Sequence, residues 1–119
     1  MKVMQMKQIK KEPLDEPIFT GSDVTLQKLT PESKEFAVNI VNFGKGVRNK
    51  FHTHDCDQIL IVTDGEGIVA TKEEEIKIVA GDVVFIPADE VHRHGAAPGS
   101  TLSHIYICRY QDKLTQYED

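Results

Sequence analysis

Hydrophobic and polar positions alternate, or cluster in short runs, along most of the chain. From residue 24 onward these runs are VTLQKL (24–29), FAVNIVNF (36–43), QILIVT (58–63), GIVATK (67–72), EIKIVA (75–80), DVVFIP (82–87), EVHRHG (90–95) and TLSHIYICRY (101–110). They are short and rich in Val, Ile, Thr and Phe, which predicts strands. The intervening DGEG (64–67), EEE (73–75), AGD (80–82), PADE (87–90) and APGS (97–100) read as turns, with DGEG a hairpin turn. Only the polar tail QDKLTQYED offers a helical period. Short strands at regular spacing within 119 residues imply a single all-β domain over 1–119, a sandwich or small barrel. The opening MKVMQMKQI alternates too, and predicts a strand or ordered arm over about 1–23 that covers a sheet edge.

Parity along residues 58–62 adds a partner. Leu60 and Val62 share one face with Gln58, and Ile59 and Ile61 share the other, so the strand is apolar on both sides. Such a strand is covered on both sides, and the second cover is expected to be another copy of the chain or the N-terminal segment; a homodimer is the expectation.

Composition narrows the function classes. The net charge is −5, from 14 basic and 19 acidic residues, and Lys7, Lys10 and Lys11 form the one basic cluster, which argues against nucleic acid as a partner. No run of 18 apolar residues and no export signal stand in the sequence, so neither a membrane span nor secretion is expected. Two cysteines are too few for a disulfide framework. A cytoplasmic protein is the expectation.

The chemistry concentrates in histidine. His52 and His54 stand at i and i+2, so on an extended segment both imidazoles point the same way; Gln58 shares their parity across the turn-like DCD. His92 and His94 repeat the spacing, and His104 lies on the last predicted strand. A lone strand histidine is more often a hydrogen-bonded core or surface residue than a ligand. Two HxH pairs on separate strands make a joint metal site the stronger reading.

These segments also resemble a known family. G46-VRNKF-H52-T-H54-DCD-Q58-ILIVTD-G65 is similar to the first cupin motif: glycine, five residues, HxH, three residues, a carboxylate, six residues and glycine. G81-DVVFI-P87-A-D89-EV-H92 is similar to the second: glycine, five residues, PxG, two residues and histidine. With its flanking strands the resemblance covers about residues 36–109, and it implies a double-stranded β-helix, or jelly roll. Two departures stand out: Gln58 where the family usually has Glu, and Asp89 where it usually has a turn glycine. Asp tolerates left-handed turn geometry, so the second change is expected to leave the fold intact.

Carried over by position, the resemblance implies a divalent transition metal, one of Fe, Mn, Ni, Co, Cu or Zn, held by His52, His54 and His92, with Gln58 as a fourth ligand through its side-chain carbonyl. Three imidazoles and an amide leave the ion its full charge, which favours Lewis-acid chemistry over the stabilisation of Fe(III). The bland alternative is a degenerate site in which Gln58 only hydrogen-bonds across the pocket.

Other polar residues have narrower roles. His104 alternates with isoleucine, which makes His104, Tyr106 and Cys108 candidates for the cavity wall and His104 the best candidate for moving a proton. His94 is placed at the pocket mouth, with a catalytic or a structural role. Cys56, inside the three-residue spacer, is a weaker soft-ligand candidate, and Cys108 reads as a small buried hydrophobe. Phe43, Phe51, Phe85 and Tyr106 are expected in the core or the pocket wall.

Three functions compete. The first is a metal-dependent enzyme acting on a small oxygenated substrate by dioxygenase, decarboxylase or isomerase chemistry. The HRHGAAP ending of the second motif resembles quercetinase-like dioxygenases and the cupins associated with carboxymuconolactone decarboxylases. The second is a non-catalytic module binding a sugar or organic acid, and the third a structural cupin with a vestigial site.

Overall fold

The computed structural model describes residues 1–119, and the architecture is all-β. The strands are β1 (Glu12–Pro13), β2 (Val24–Lys28), β3 (Phe36–Phe43), β4 (His52–His54), β5 (Gln58–Ala70), β6 (Glu75–Val79), β7 (Val83–Ile86), β8 (Arg93–Ala96), β9 (Leu102–Arg109) and β10 (Leu114–Gln116). They form a curled antiparallel jelly roll, as expected. An eight-stranded sheet runs β1-β2-β3-β9-β5-β6 with β7 and β8 also paired to β5, and β4 and β10 form a separate two-stranded ribbon. No helix is long and apolar enough to cross a membrane.

Strand β5 makes the curl. Its first half pairs β7 and β9, and its second half pairs β6 and β8. The register slips between Val62 and Asp64, so the strand bends there instead of ending. DGEG is therefore not a hairpin turn but part of a continuous bulged strand. Its glycines serve closeness: Gly65 has φ +81°, and a Cβ on it would lie 2.0 Å from the Thr101 carbonyl oxygen.

Inside the curl, Val24, Val41, Phe43, Val62, Ile78 and Leu102 form the buried apolar cluster. Cys108 is buried, as its strand parity predicts. Phe85 is not in the core: it points outward with 61% of its surface exposed, because its β7 parity matches Ile59 and Val83 and not Ile86. Phe51 is half-buried outside the cavity, with the Arg93 guanidinium 5.4 Å from its ring centroid.

The C-terminal end departs from the sequence reading, and the N-terminal end follows it only as an ordered arm. MKVMQMKQI is not a strand; Met6–Gln8 forms a short 3₁₀ turn, tied down where the Gln27 amide donates to the Met6 and Ile9 carbonyls. Edge cover within the 1–23 arm comes from β1, which pairs β2. The tail is not helical: β10 pairs β4 with Leu114 opposite His54 and Gln116 opposite His52. Asp112 and Glu118 anchor it, the latter accepting both Arg48 nitrogens and the Phe51 N–H.

Candidate metal centre

Three imidazoles meet inside the curl. His52 and His54 come from β4, and His92 from the turn before β8. His52 and His92 exchange two backbone hydrogen bonds of 3.0 Å, which closes the two HxH segments on each other. The turn carrying His92 has Asp89 at φ +68°, the left-handed position the sequence assigned to it, with its N–H donating to the His54 carbonyl. Ring centroids lie 4.4 Å apart for His52 and His92, 5.0 Å for His52 and His54, and 5.9 Å for His54 and His92.

Each ring is held by its Nδ1. The His52 Nδ1 faces the Lys50 carbonyl at 2.6 Å, the His92 Nδ1 faces the Glu90 carbonyl at 2.8 Å, and the His54 Nδ1 faces Asp112 Oδ2 at 2.5 Å. An oxygen acceptor at Nδ1 fixes the proton there and leaves Nε2 as a free lone pair. The His92 Nε2 is buried with no hydrogen-bond partner, and so is Gln58 Oε1 at the start of β5. Ligand atoms of His52, His54 and His92 lie within 4.8 Å of one another. Unpartnered buried acceptors of this kind are what a cation would satisfy, and the cluster suits a divalent ion.

Burial keeps His52 and His92 neutral. It pushes the His52 imidazole down to about 3, with the nearby His92 ring adding to the effect, and it lowers His92 as well. Neutral imidazole is the form that binds metal.

Behind the cluster lies a second pair. His94 is 4% exposed and sits in the floor, not at the mouth where the sequence placed it, because β8 tucks beneath residues 47–49. Its Nδ1 is 3.3 Å from the His104 Nε2, and its Nε2 is 3.2 Å from the Asn49 Nδ2. Asn49 sets the protons. Its Oδ1 accepts the His94 backbone N–H at 2.8 Å, so its amide nitrogen must face the ring and donate. Neutral His94 then carries its proton on Nδ1 and donates to His104, and neutral His104 carries its own on Nδ1. That atom is buried with no partner in the protein. Burial holds His104 down to about 4 and His94 well below its ordinary value.

The cavity in front of these residues has a volume of about 170 Å³. Its polar floor is His52, His54, Gln58, His94 and His104, and Val41, Phe43, Phe19 and Ile18 supply apolar wall. Tyr106 lines it as expected, its hydroxyl accepting the Asn39 amide at 2.9 Å and burial pushing its pKa up to about 12. The sequence reading missed Asn49 and Asp112. Asn49 has no motif signature, and Asp112 lies in the tail read as a fraying helix.

Residues 39–108 match the sequence profile of the cupin domain family. The chain is a cupin. It is 38% identical over 92 residues to the (R)-mandelonitrile lyase of Granulicella tundricola, covering 75% of this chain and 70% of that one. It is 26% identical over 89 residues to the mannose-6-phosphate isomerase of Cryptococcus neoformans, but this cupin spans only 20% of that protein's length. Among solved structures, a cupin-like protein from Thermotoga maritima superposes with a TM-score of 0.84 at 31% identity, covering 94% of this chain and 89% of that one.

Proposed function

We propose that this cupin is a metal-dependent lyase that cleaves α-hydroxynitriles of one-ring size, such as mandelonitrile, to an aldehyde and hydrogen cyanide. The observation that carries the proposal is the meeting of the His52, His54 and His92 ligand atoms within 4.8 Å of one another beside a cavity whose floor includes His52, His54, Gln58 and His104, where Gln58 Oε1 and His104 Nδ1 are buried without a partner. The lyase relative supports the reaction class. His52, His54, His92 and Gln58 would hold a divalent transition ion, which supplies Lewis acidity at the substrate oxygen.

The chain's own residues then account for the rest. The hydroxyl loses its proton to cavity water, the carbon–carbon electron pair leaves with cyanide, and the same proton ends on cyanide. The His104 Nδ1–H donates to the nitrile and stabilises the charge as it develops there. His94, held by Asn49, keeps the His104 proton on Nδ1. An apolar cavity of about 150 Å³ holds a benzene ring, so about 170 Å³ suits an aryl or short alkyl substituent. Cyanide release from mandelonitrile, followed on apo protein reloaded in turn with Mn, Fe, Co, Ni and Zn, tests the reading. Turnover that is lost in His104→Phe supports it, and no turnover with any of the ions sinks it.

We also propose that the cupin works as a homodimer. Val83 and Phe85 of β7, Ile59 and Ile61 of β5, and Ile105 and Ile107 of β9 lie on adjacent strands of the outer sheet face. That strip carries no charge on a chain of net charge −5, so a second copy of itself meets it without opposing charges. Phe85→Glu should convert a dimer to a monomer in sedimentation analysis. A wild-type monomer at all concentrations overturns this.

A further inference from the structure

A second cluster of donors lies on the far side of His54. Cys56 in the turn between β4 and β5, Cys108 at the end of β9 and Asp112 in the turn into β10 place two sulfurs and a carboxylate oxygen within 4.8 Å of one another. The Cys108 thiol donates to Asp112 Oδ1 at 3.7 Å. That separation is close to the edge of a tetrahedron built on metal–sulfur bonds of about 2.3 Å and metal–oxygen bonds of about 2.1 Å, which is roughly 3.6 Å. The other oxygen, Oδ2, is the one that accepts from His54. Cys108 is buried and Cys56 half-buried, so the cluster is walled on one side and open on the other.

We propose that Cys56, Cys108 and Asp112 form a second metal site, for a thiophilic ion such as Zn²⁺, Cd²⁺ or Cu⁺, that shares Asp112 with the imidazole cluster. Donor type separates the two sites: thiolates select soft ions, whereas imidazole and amide suit borderline ones. On binding, both thiols release their protons to solvent and the carboxylate keeps its charge, leaving a fourth position for water. A disulfide is the rival use of the pair. It requires a thiolate to attack, and burial first, then the Asp112 charge, push the Cys108 thiol up to about 12. A bound ion supplies its own positive charge to displace those protons.

Because Asp112 faces both sites, an ion on Oδ1 draws on the carboxylate charge that supports the His54 ring, and two cations this close repel. Occupancy of the thiolate site should therefore weaken the imidazole site, and the reverse by the same factor.

The test uses Cd²⁺ on reduced, metal-free protein. In a His52→Ala, His92→Ala background one Cd²⁺ per chain should bind with an ultraviolet thiolate-to-metal charge-transfer band, and should protect Cys56 from a maleimide. Adding Cys56→Ser should abolish the band and weaken binding at least about tenfold. Cys56 lies in a turn and is half-buried, so this change spares the core. The same band in otherwise wild-type protein, again lost in Cys56→Ser, covers the case in which the double variant fails to fold. Absence of the band in both proteins, or its survival in Cys56→Ser, overturns the proposal. So does a two-proton mass loss under oxidised glutathione that Cd²⁺ does not prevent.

Discussion

Asp112 reaches from the tail to His54 and accepts its Nδ1–H at 2.5 Å, so a residue 58 positions away orients a ring of the metal cluster. The His54 hydrogen bond holds the Asp112 carboxyl below its ordinary range, so the acceptor stays ionised. Asp112→Asn keeps the shape and loses the charge. Affinity of the imidazole site should fall about 10- to 100-fold, measured by competition with a fluorescent chelator; an unchanged affinity would show that β4 alone fixes the ring.

Gln58→Glu should move affinity and activity in opposite directions. A carboxylate in place of the unpartnered Oε1 adds charge attraction and tightens binding. It also offsets part of the ion's charge, so α-hydroxynitrile cleavage should drop by tenfold or more. Calorimetry and initial rates on the same preparation check both.

Asn49→Asp isolates the role of the proton position. An aspartate can still accept the His94 backbone N–H but can only accept at the ring, which turns His94 to its Nε2–H form and His104 to a lone pair on Nδ1. kcat should fall with KM little changed, and nitrogen-15 shifts of the imidazoles should report the exchanged tautomers. Asn49→Ala, by contrast, leaves two buried polar atoms unpaired and should cost about 1–3 kcal/mol of stability.

Metal-free protein should lose stability as pH falls from about 6.5 to about 4. His104 titrates at about 4 when folded and at its ordinary 6.5 when unfolded, so in that window the unfolded chain binds more protons and acid favours unfolding. The loss from this residue alone is about 3 kcal/mol, complete below its folded value. His52, His92 and His94 are lowered too and act in the same direction. Denaturant midpoints measured from pH 7 to 4 check the slope, and His104→Phe should flatten it.

How far the sequence could be read depended on whether a feature was local. Strand periodicity and the two spaced motifs placed β2, β3, β5 to β9 and the three imidazoles, because alternation and ligand spacing are local properties. DGEG misled because a glycine required by an approaching strand looks the same in sequence as a glycine required by a turn. Phe85 was assigned inward on its size, although its parity put it outward. His94 was placed at the mouth because parity gives a side and not a depth. Asp112 and Asn49 act on rings 58 and 45 positions away, and no local pattern could announce pairings that only the closed fold creates.

Strand β5 pairs with β6, β7, β8 and β9, and the reciprocal bridge between His52 and His92 forms only when segments 40 residues apart have met. No fragment of the chain ending before His92 can hold all three imidazoles, so an ion cannot template the early stages of folding. An ion held by all three imidazoles therefore marks a molecule that has finished closing, and its spectroscopic signature reports completed folding wherever it is seen.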